Sequence, residues 1–318
     1  MQSFVLARLA SGIVSIVGVS LIVFLGTALL PGDAASTLLG QNATPQSVEA
    51  LRRELGLDQP LVLRYLQWVG AALTGNFGVS LSSGQPVIEL ILPRLANSLI
   101  LAGAAALVVL PLAVGAGILA AIRRDTPLDA ALSGLSLLFV SMPTFMIGYL
   151  LVYFLAVRLG LFPPLSVLRS SPSLAEWFFA LALPVLTLVM IAQAHIVKLT
   201  RAAILGVMAS DYVLMAEVKG IPHRRIILRH ALPNALSPIL SICMMTIAYL
   251  IVDVIVVEVV FNYPGLGKLM VDAVAYRDLP MVQACGVLFS VIFISLNFAA
   301  DLLAMLANPR QRLPRSAT

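Results

Sequence analysis

Residues 235–260 read ALSPILSICMMTIAYLIVDVIVVEVV, an apolar stretch whose charged side chains are Asp253 and Glu258. A helix needs roughly 20 apolar residues to cross the hydrocarbon core of a bilayer, and this stretch exceeds that length. Because lipid offers the backbone no hydrogen-bond partners, a spanning segment of this kind must be helical. The stretch therefore predicts a transmembrane helix.

The composition of the whole chain supports the same interpretation. Of 318 residues, 60% are hydrophobic and 11% are charged, and the mean hydropathy is +1.01. Soluble domains carry about 25% charged residues, because water must cover their surface. A chain with so few charges must face lipid, which excludes a soluble enzyme, a disulfide-stapled secreted domain and a disordered chain. Basic loops at the membrane surface explain the net charge of +5, so no nucleic-acid partner is expected.

Six apolar stretches are long enough to span a bilayer. The expected fold class is therefore an all-α polytopic membrane protein with six transmembrane helices. Proline lacks the backbone N–H that a helix interior needs, so kinks are expected at Pro111 and Pro143. The predicted spans are Leu9–Leu30, Leu95–Ile122, Ala130–Val157, Trp177–Val197, Ala235–Val260 and Met281–Leu306.

The distribution of Lys and Arg predicts the orientation. Twelve of these residues lie in the N-terminus, the second and fourth loops and the C-terminus, whereas four lie in the third and fifth loops. Basic residues accumulate on the cytoplasmic side, so both termini are expected there. The predicted organisation is an N-terminus with the first helix (1–30), a long extracytoplasmic loop (31–94) and a five-helix core (95–318). The core includes a cytoplasmic loop at about 198–234.

The extracytoplasmic loop carries signals for two short helices. Thr44 and Pro45 are typical of a helix start, since threonine caps the first turn and proline suits its first position. A second, amphipathic helix is predicted over Leu61–Leu73, where Tyr65 and Trp68 suit the outer membrane interface. We interpret these two helices either as a packed extracytoplasmic cap with no chemical role or as part of a contact surface.

Motifs of a nucleotide-binding or hydrolytic site are missing from the sequence. It contains no G-x-x-x-x-G-K-[ST], no H-E-x-x-H and no G-x-S-x-G. The three histidines lack the spacing of a metal-ligand cluster. We therefore expect no catalytic residue, no metal site and no cofactor in this chain, and no enzymatic activity of its own.

The most informative loop runs from Lys198 to Arg229 and is predicted to be cytoplasmic. Asp211 can cap a short helix, and Gly220 followed by Pro222 ends it. Pro233 is expected to break the chain again before the fifth span. On the predicted helix, one face carries Val213, Ala216 and Glu217, and another carries Leu214 and Val218. From composition alone, an ordinary positive-inside loop with an interfacial helix is the favoured interpretation.

The same loop resembles the EAA loop, E-A-A-x3-G-x9-I-x-L-P, of permease subunits in ABC importers that use a binding protein. Ala216, Gly220 and the pair Leu232-Pro233 match its spacing. The chain departs from the pattern at the Glu, the first Ala and the Ile, where it has Leu214, Met215 and His230.

The resemblance extends along essentially the whole chain, to the dipeptide, oligopeptide and nickel branch of these permeases. Motifs of that branch recur here in the same order and spacing. They are V-S-L-x-V-F-L and L-L-P-G-D (Val19–Leu25, Leu29–Asp33), L-G-L-D-x-P-L and Y-L-x-W (Leu55–Leu61, Tyr65–Trp68), G-N-F-G-x-S (Gly75–Ser80), V-V-E-x-V-F-x-x-P-G-L-G (Val256–Gly267) and a D-P-R-like ending (Asn308–Arg310).

This resemblance implies a multi-pass protein of the bacterial cytoplasmic (inner) membrane that forms half of a translocation pore for peptides or a small solute such as a nickel complex. Its implied partners are a second permease, one or two cytoplasmic ATPase subunits that bind ATP and Mg²⁺, an extracytoplasmic substrate-binding protein and membrane lipid. The residues implied in ATPase coupling are Ala216, Glu217, Lys219, Gly220, Leu232 and Pro233.

Two acidic residues in the fifth span are candidates for the substrate pathway. An isolated carboxylate near a span centre costs roughly 2.5–3.5 kcal/mol on insertion scales, so Asp253 is expected to face protein or water. It is interpreted either as a polar contact for a cationic or amine-bearing substrate in the pore or as a protonated or paired Asp that faces the partner permease. Glu258 lies nearer the outer end and is expected to shape an outer gate or to reach interfacial water.

A secondary transporter that binds a coupling proton at Asp253 and Glu258 is the alternative function. It predicts an internal repeat, which the first and last three spans do not display. It also leaves the basic cytoplasmic loop without a role.

Overall fold

The computed structural model describes residues 2–29, 44–54, 56, 58–167 and 173–307. Regular structure in these ranges is helical, and one isolated β-bridge joins Val79 to Pro86. The helices are α1 (Gln2–Ala28), α2 (Pro45–Glu54), α3 (Leu61–Leu73), α4 (Val87–Ile122), α5 (Pro127–Ser141), α6 (Thr144–Leu151), α7 (Leu174–Met208), α8 (Asp211–Val218), α9 (His223–Ile226), α10 (Leu232–Val260), α11 (Leu266–Ala275) and α12 (Leu279–Ala307), with π-helical turns at Val152–Arg158 and Ile227–Ala231.

Five helical segments are long and apolar enough to cross a membrane, and α5 and α6 together count as a sixth, bent span. The expected all-α polytopic architecture is therefore confirmed. The chain itself buries 11–39% of each apolar window. The remaining apolar surface is available to lipid or to another subunit.

The third predicted span differs from the single kinked helix expected over Ala130–Val157. The chain breaks at Met142–Pro143, and the two halves meet at 106°. Met142 is extended, with φ −98° and ψ 133°. A residue that precedes proline is pushed out of the α region, which explains why this proline ends a helix. By contrast, α4 runs without a break through Pro111.

Several helices are longer than hydropathy predicts, because hydropathy detects only their lipid-facing part. The second span begins at Val87 rather than Leu95, and the fourth continues from Val197 to Met208. That continuation takes up the start of the predicted cytoplasmic loop. The motif residues 30–33, 55, 57 and 308–310 lie outside the described part of the chain, as does the predicted end of the first span at Leu30.

The chain divides into two compact units, each with its own core. One unit comprises residues 1–9, 99–263 and 295–318, and the other comprises 10–98 and 264–294. The core of the first unit includes Ala121, Ile204, Ile227, Ala231, Ala235, Ile239 and Cys243. The core of the second includes Val87, Ile91, Leu266, Ala273, Met281, Ala284 and Cys285.

In the second unit, the two short helices of the first loop form as expected. Thr44 precedes α2, and its Oγ1 accepts a hydrogen bond from the backbone N of Ser47 at 3.2 Å. The aromatic side chains of α3 pack on Phe24 of α1, with ring centroids 5.4 Å (Tyr65) and 5.9 Å (Trp68) away. These two residues were predicted to lie at the membrane interface, and the structure gives them a protein contact.

Candidate functional site

Helix α8 lies in the segment that matches the EAA pattern. Its N-terminus is one residue earlier than predicted: Ser210 takes the extended cap conformation, and Asp211 is the first helical residue. The prediction that Asp211 caps the helix is therefore wrong. The C-terminal end is as expected, because Gly220 has φ +74°, a left-handed conformation that glycine adopts without steric cost. Its N–H donates to the carbonyl of Glu217 at 2.8 Å.

The two faces of α8 have different surroundings. Val213 and Ala216 are buried against Ile226 of the following helix. Glu217 was expected on this face, but its carboxylate is half-exposed and lies 3.8 Å from Nδ1 of His223. Lys219 and Gly220 are exposed. The other face presents large apolar side chains to solvent: Tyr212, Leu214, Met215 and Val218 are 46–78% exposed.

The helical segment that begins at α9 continues into the fifth span without the break expected at Pro233. Residues 223–260 are helical throughout, and the turn at Ile227–Ala231 is π-helical. Pro233 follows this turn as the second residue of α10, and the π-helical turn accommodates its missing N–H within the continuous helix. Ile227 and Ala231 are buried, whereas Leu232 is half-buried and Pro233 is exposed. The loop residues are thus anchored in the core of the first unit.

A partly buried ion pair that the sequence did not indicate joins α5 to α7. The guanidinium of Arg201 in α7 donates from Nε to Oδ1 of Asp129 at 2.7 Å and from Nη2 to Oδ2 at 2.6 Å. The Asp129 side chain is 6% exposed, and its other bonds come from Ser133 and the backbone N of Asp125. The pair links the start of α5 to the end of α7, ten residues before α8 begins.

A cavity of about 460 Å³ lies between α7 and α10. Asp253 lines it, and Oδ1 of its carboxylate accepts a hydrogen bond from Oγ1 of Thr144 at 3.3 Å. Thr144 is the first residue of α6, directly after the break at Pro143. The complete lining is Ile191, Ala192, His195, Leu199, Ile242, Met245, Thr246, Tyr249, Leu250 and Asp253.

Glu258 does not reach interfacial water, so that interpretation is wrong. The residue is fully buried and lies outside the cavity lining. The chain turns back over it after α10, and the backbone N of Tyr263 donates to the carbonyl of Glu258 at 2.9 Å. Tyr263 is also fully buried; its burial, together with the nearby Glu258 carboxyl, raises the pKa of the Tyr263 phenol.

Over the ranges that the structure describes, no group of three or more His, Cys, Asp or Glu side chains is placed to hold a metal ion. The two cysteines, Cys243 and Cys285, are buried free thiols. The residues predicted for ATPase coupling lie on α8 and in the segment that follows it, and Asp253 lines the cavity.

Sequence comparisons cover nearly the whole chain. Residues 113–313 match the family described as binding-protein-dependent transport system inner membrane component, and residues 1–102 match its N-terminal counterpart. The chain is 38% identical to a probable peptide ABC transporter permease protein of Sinorhizobium fredii, over 98% of this chain and 100% of that protein. It is 35% identical to the glutathione transport system permease protein GsiC of Escherichia coli K12, over 98% and 99% of the two chains.

Comparison with solved structures supports the fold. A chain of the inward-facing methionine ABC transporter MetNI covers 70% of this chain with a TM-score of 0.54 and 16% identity, and 97% of its own length is covered. This similarity concerns the fold alone. The sequence matches favour the permease over the proton-coupled secondary transporter. The chain belongs to the family of binding-protein-dependent transport system inner membrane components, as an ABC transporter permease of the peptide type.

Proposed function

We propose that this chain forms half of the translocation pore of an ABC importer for peptides, and that α8 docks on a cytoplasmic ATPase subunit. The two relatives named above carry peptide and glutathione in their names, which supports a short peptide as cargo rather than a nickel complex. A second permease completes the pore, and an extracytoplasmic binding protein delivers the peptide. ATP and Mg²⁺ are bound by the ATPase, so this chain needs no cofactor.

The observation that carries this proposal is the exposed apolar face of α8. Leu214 and Met215 are 60% and 63% exposed, although Val213 and Ala216 on the opposite face are buried. An amphipathic helix that lays its apolar face into a groove of a partner is a common mode of recognition. Four of the six basic residues of the loop follow α8 within eleven positions and are exposed, namely Lys219, Arg224, Arg225 and Arg229.

The buried face explains how motion at α8 would reach the pore. Val213 and Ala216 pack on Ile226, which leads without a break into the span that carries Asp253. Closure of the ATPase subunits on ATP would move α8 and α10 as one element. Nucleotide state would thereby bias the pore between inward-open and outward-open arrangements. In this orientation both termini lie in the cytoplasm.

Co-purification from native membranes in mild detergent tests the docking contact. We expect tagged wild-type chain to retain an ATPase and a second permease, whereas Leu214→Glu loses the ATPase and keeps the permease. The control is Leu73→Glu, because Leu73 is also exposed on a short helix, but in the predicted extracytoplasmic loop. If Leu214→Glu retains the ATPase, or the wild type carries none, the docking proposal fails.

Uptake of labelled peptide tests the cargo. Cells that lack this chain should lose import of a labelled dipeptide or of glutathione, and the wild-type chain should restore it. If import of every peptide tested is unchanged by the deletion while nickel uptake falls, the peptide assignment is wrong.

A further inference from the structure

We propose that the Asp253 cavity is a binding site for the protonated amino group of the cargo, with the Asp253 carboxylate as the counter-ion. The proposal rests on the proposed function, since peptide cargo with a free N-terminus supplies that ammonium group. It assigns a solute contact within the membrane-spanning part of this chain, in addition to whatever the binding protein recognises.

The cavity has the size and composition of a small-molecule site. Its volume of about 460 Å³ falls within the roughly 300–1,000 Å³ typical of such sites. Most of the lining is aliphatic, and the polar side chains are few: His195, Thr246, Tyr249 and Asp253. The hydroxyl of Thr246 is occupied, because it donates to the carbonyl of Ile242 in its own helix at 2.9 Å. A predominantly apolar cavity with a few polar groups that fix orientation is the usual form of a ligand site.

The Asp253 carboxylate is only partly satisfied by the protein. Oδ1 accepts the hydrogen bond from Thr144, whereas no donor in the described ranges reaches Oδ2. The residue is half-buried and lines the cavity, so Oδ2 is accessible from it. Helix α10 ends at Val260, which places Asp253 about 10 Å from that end, within the hydrocarbon depth. A carboxyl group at this depth with free acceptor capacity is stabilised by water, by a proton or by a cationic ligand, and a cationic ligand is the one that a solute can supply.

The surroundings of Asp253 favour a cation over an anion or a neutral amide. Tyr249 lies one turn away on the same face of α10, and an aromatic ring beside a carboxylate adds cation–π attraction for an ammonium group. Besides Tyr249 and Asp253, the cavity lining contains one more titratable side chain, His195 on α7. The imidazole can accept one ammonium N–H when it is neutral. The apolar side chains that line the rest of the cavity then suit an apolar peptide side chain. They are Ile191, Ala192 and Leu199 on α7 and Ile242, Met245 and Leu250 on α10.

The test measures peptide binding to the complete transporter in nanodiscs, without the binding protein. The probe is labelled alanyl-leucine with a free amino group, compared with its N-acetyl derivative. We expect the wild type to bind the free-amine dipeptide saturably and at least tenfold more tightly than the acetylated form. Asp253→Asn should abolish this preference, with the acetylated peptide bound equally by both proteins. Asp253→Glu, which keeps the charge, should retain part of it.

Two controls separate the proposal from general damage. Glu89→Gln changes a carboxylate exposed on α4 outside the cavity, and it should leave the preference intact. Equal loss of both peptides in Asp253→Asn, or loss of the second permease from that complex, would overturn the proposal in favour of a packing role. Absence of saturable binding by the wild type at 10 mM would also overturn it. If the binding test fails in either way but cells still import peptide through this transporter, the proposed function stands and only the cavity site is rejected.

Discussion

Gly117 of α4 lies directly against Thr200 of α7. A Cβ atom added to Gly117 would stand 2.7 Å from Cβ of Thr200 and 2.9 Å from the carbonyl oxygen of Val197. Both are fixed positions, one on a β-branched side chain and the other on the backbone. Small residues allow the backbones of membrane helices to approach closely, and Gly117 serves this purpose here. The contact holds the part of α7 that leads toward α8.

Substitution of Gly117 by Ala should therefore destabilise the protein by about 1–3 kcal/mol, the usual cost of overpacking. Gly115→Ala is the matched control, because a Cβ there meets nothing within 4 Å. Since alanine favours helix over glycine, this control should be neutral or slightly stabilising. The buried thiols Cys243 and Cys285 provide the measurement, because a thiol-reactive dye reports their exposure on heating. Equal melting temperatures for the two variants would contradict the close-packing account.

The ion pair between Arg201 and Asp129 leads to a second prediction. Arg201→Ala leaves the Asp129 carboxylate buried without its main partner, and breaking a buried pair from one side costs about 3–5 kcal/mol. Because Arg201 is 27% exposed, we expect the lower end of that range. Arg201→Lys should recover only part of the loss, since lysine cannot reproduce the two parallel bonds.

The double variant Asp129→Asn/Arg201→Gln removes both charges and should melt higher than Arg201→Ala. The same thiol-exposure assay applies. As a reference, Arg53→Ala breaks the exposed pair with Glu49, which is expected to contribute at most about 1 kcal/mol. If Arg201→Ala melts no lower than Arg53→Ala, the buried pair does not stabilise the fold as proposed.

Local pattern explains what the sequence could predict. The apolar spans follow from hydropathy alone, because lipid permits only helices there. The short helix α8 was predictable because glycine commonly ends a helix, and Gly220 does so here with a positive φ. Its two faces were predictable from helical spacing, and the structure buries Val213 and exposes Leu214. Each of these features is determined by residues within a few positions of one another.

Features that depend on contacts between distant segments could not be read in the same way. Asp129 and Arg201 are 72 residues apart, and neither has a local sign of its partner. Glu258 has the position of an interfacial residue on a straight helix, but the turn after α10 covers it with Tyr263. Pro233 is a helix breaker by its type, yet the preceding π-helical turn accommodates it. In each case tertiary context overrides the local preference.

The Asp278 side chain is hydrogen-bonded to the segment 80–82 of the second unit. Its carboxylate accepts hydrogen bonds from the hydroxyl of Ser80, from the backbone N of Leu81 at 3.1 Å, and from the hydroxyl of Ser82 at 2.9 Å. The side chain also accepts from the backbone N of Met281 at 3.4 Å, at the start of α12. Asp278→Ala should therefore release residues 80–82, since hydrogen bonds to a charged group contribute about 1.5–3 kcal/mol each.

Hydrogen exchange followed by mass spectrometry measures this release. Amides of the peptide covering 79–86 should exchange at least tenfold faster in Asp278→Ala than in the wild type, and less so in Asp278→Asn, which keeps one acceptor oxygen. Asp272→Asn is the control, because Asp272 pairs with Lys268 on the exposed side of α11 and bonds no part of this segment. Unchanged exchange in Asp278→Ala would show that other contacts hold these residues.

Gly220 ends α8 in a conformation that proline cannot adopt. Its φ of +74° differs from the proline value near −65°, and its N–H is used in the bond to the carbonyl of Glu217. Gly220→Pro should therefore misplace α8 and abolish peptide-stimulated ATP hydrolysis and import, with membrane insertion unchanged.

Gly220→Ala meets no atom within 4 Å, so it costs only the backbone strain of about 1–2 kcal/mol and should reduce coupling partially. Gly160→Ala is the matched control, because Gly160 has φ +64° with equally open space but lies in the third loop. It carries the same strain and should leave coupling intact. If Gly160→Ala and Gly220→Ala lower stimulated hydrolysis equally, or if Gly220→Pro transports peptide normally, the position of α8 does not control coupling.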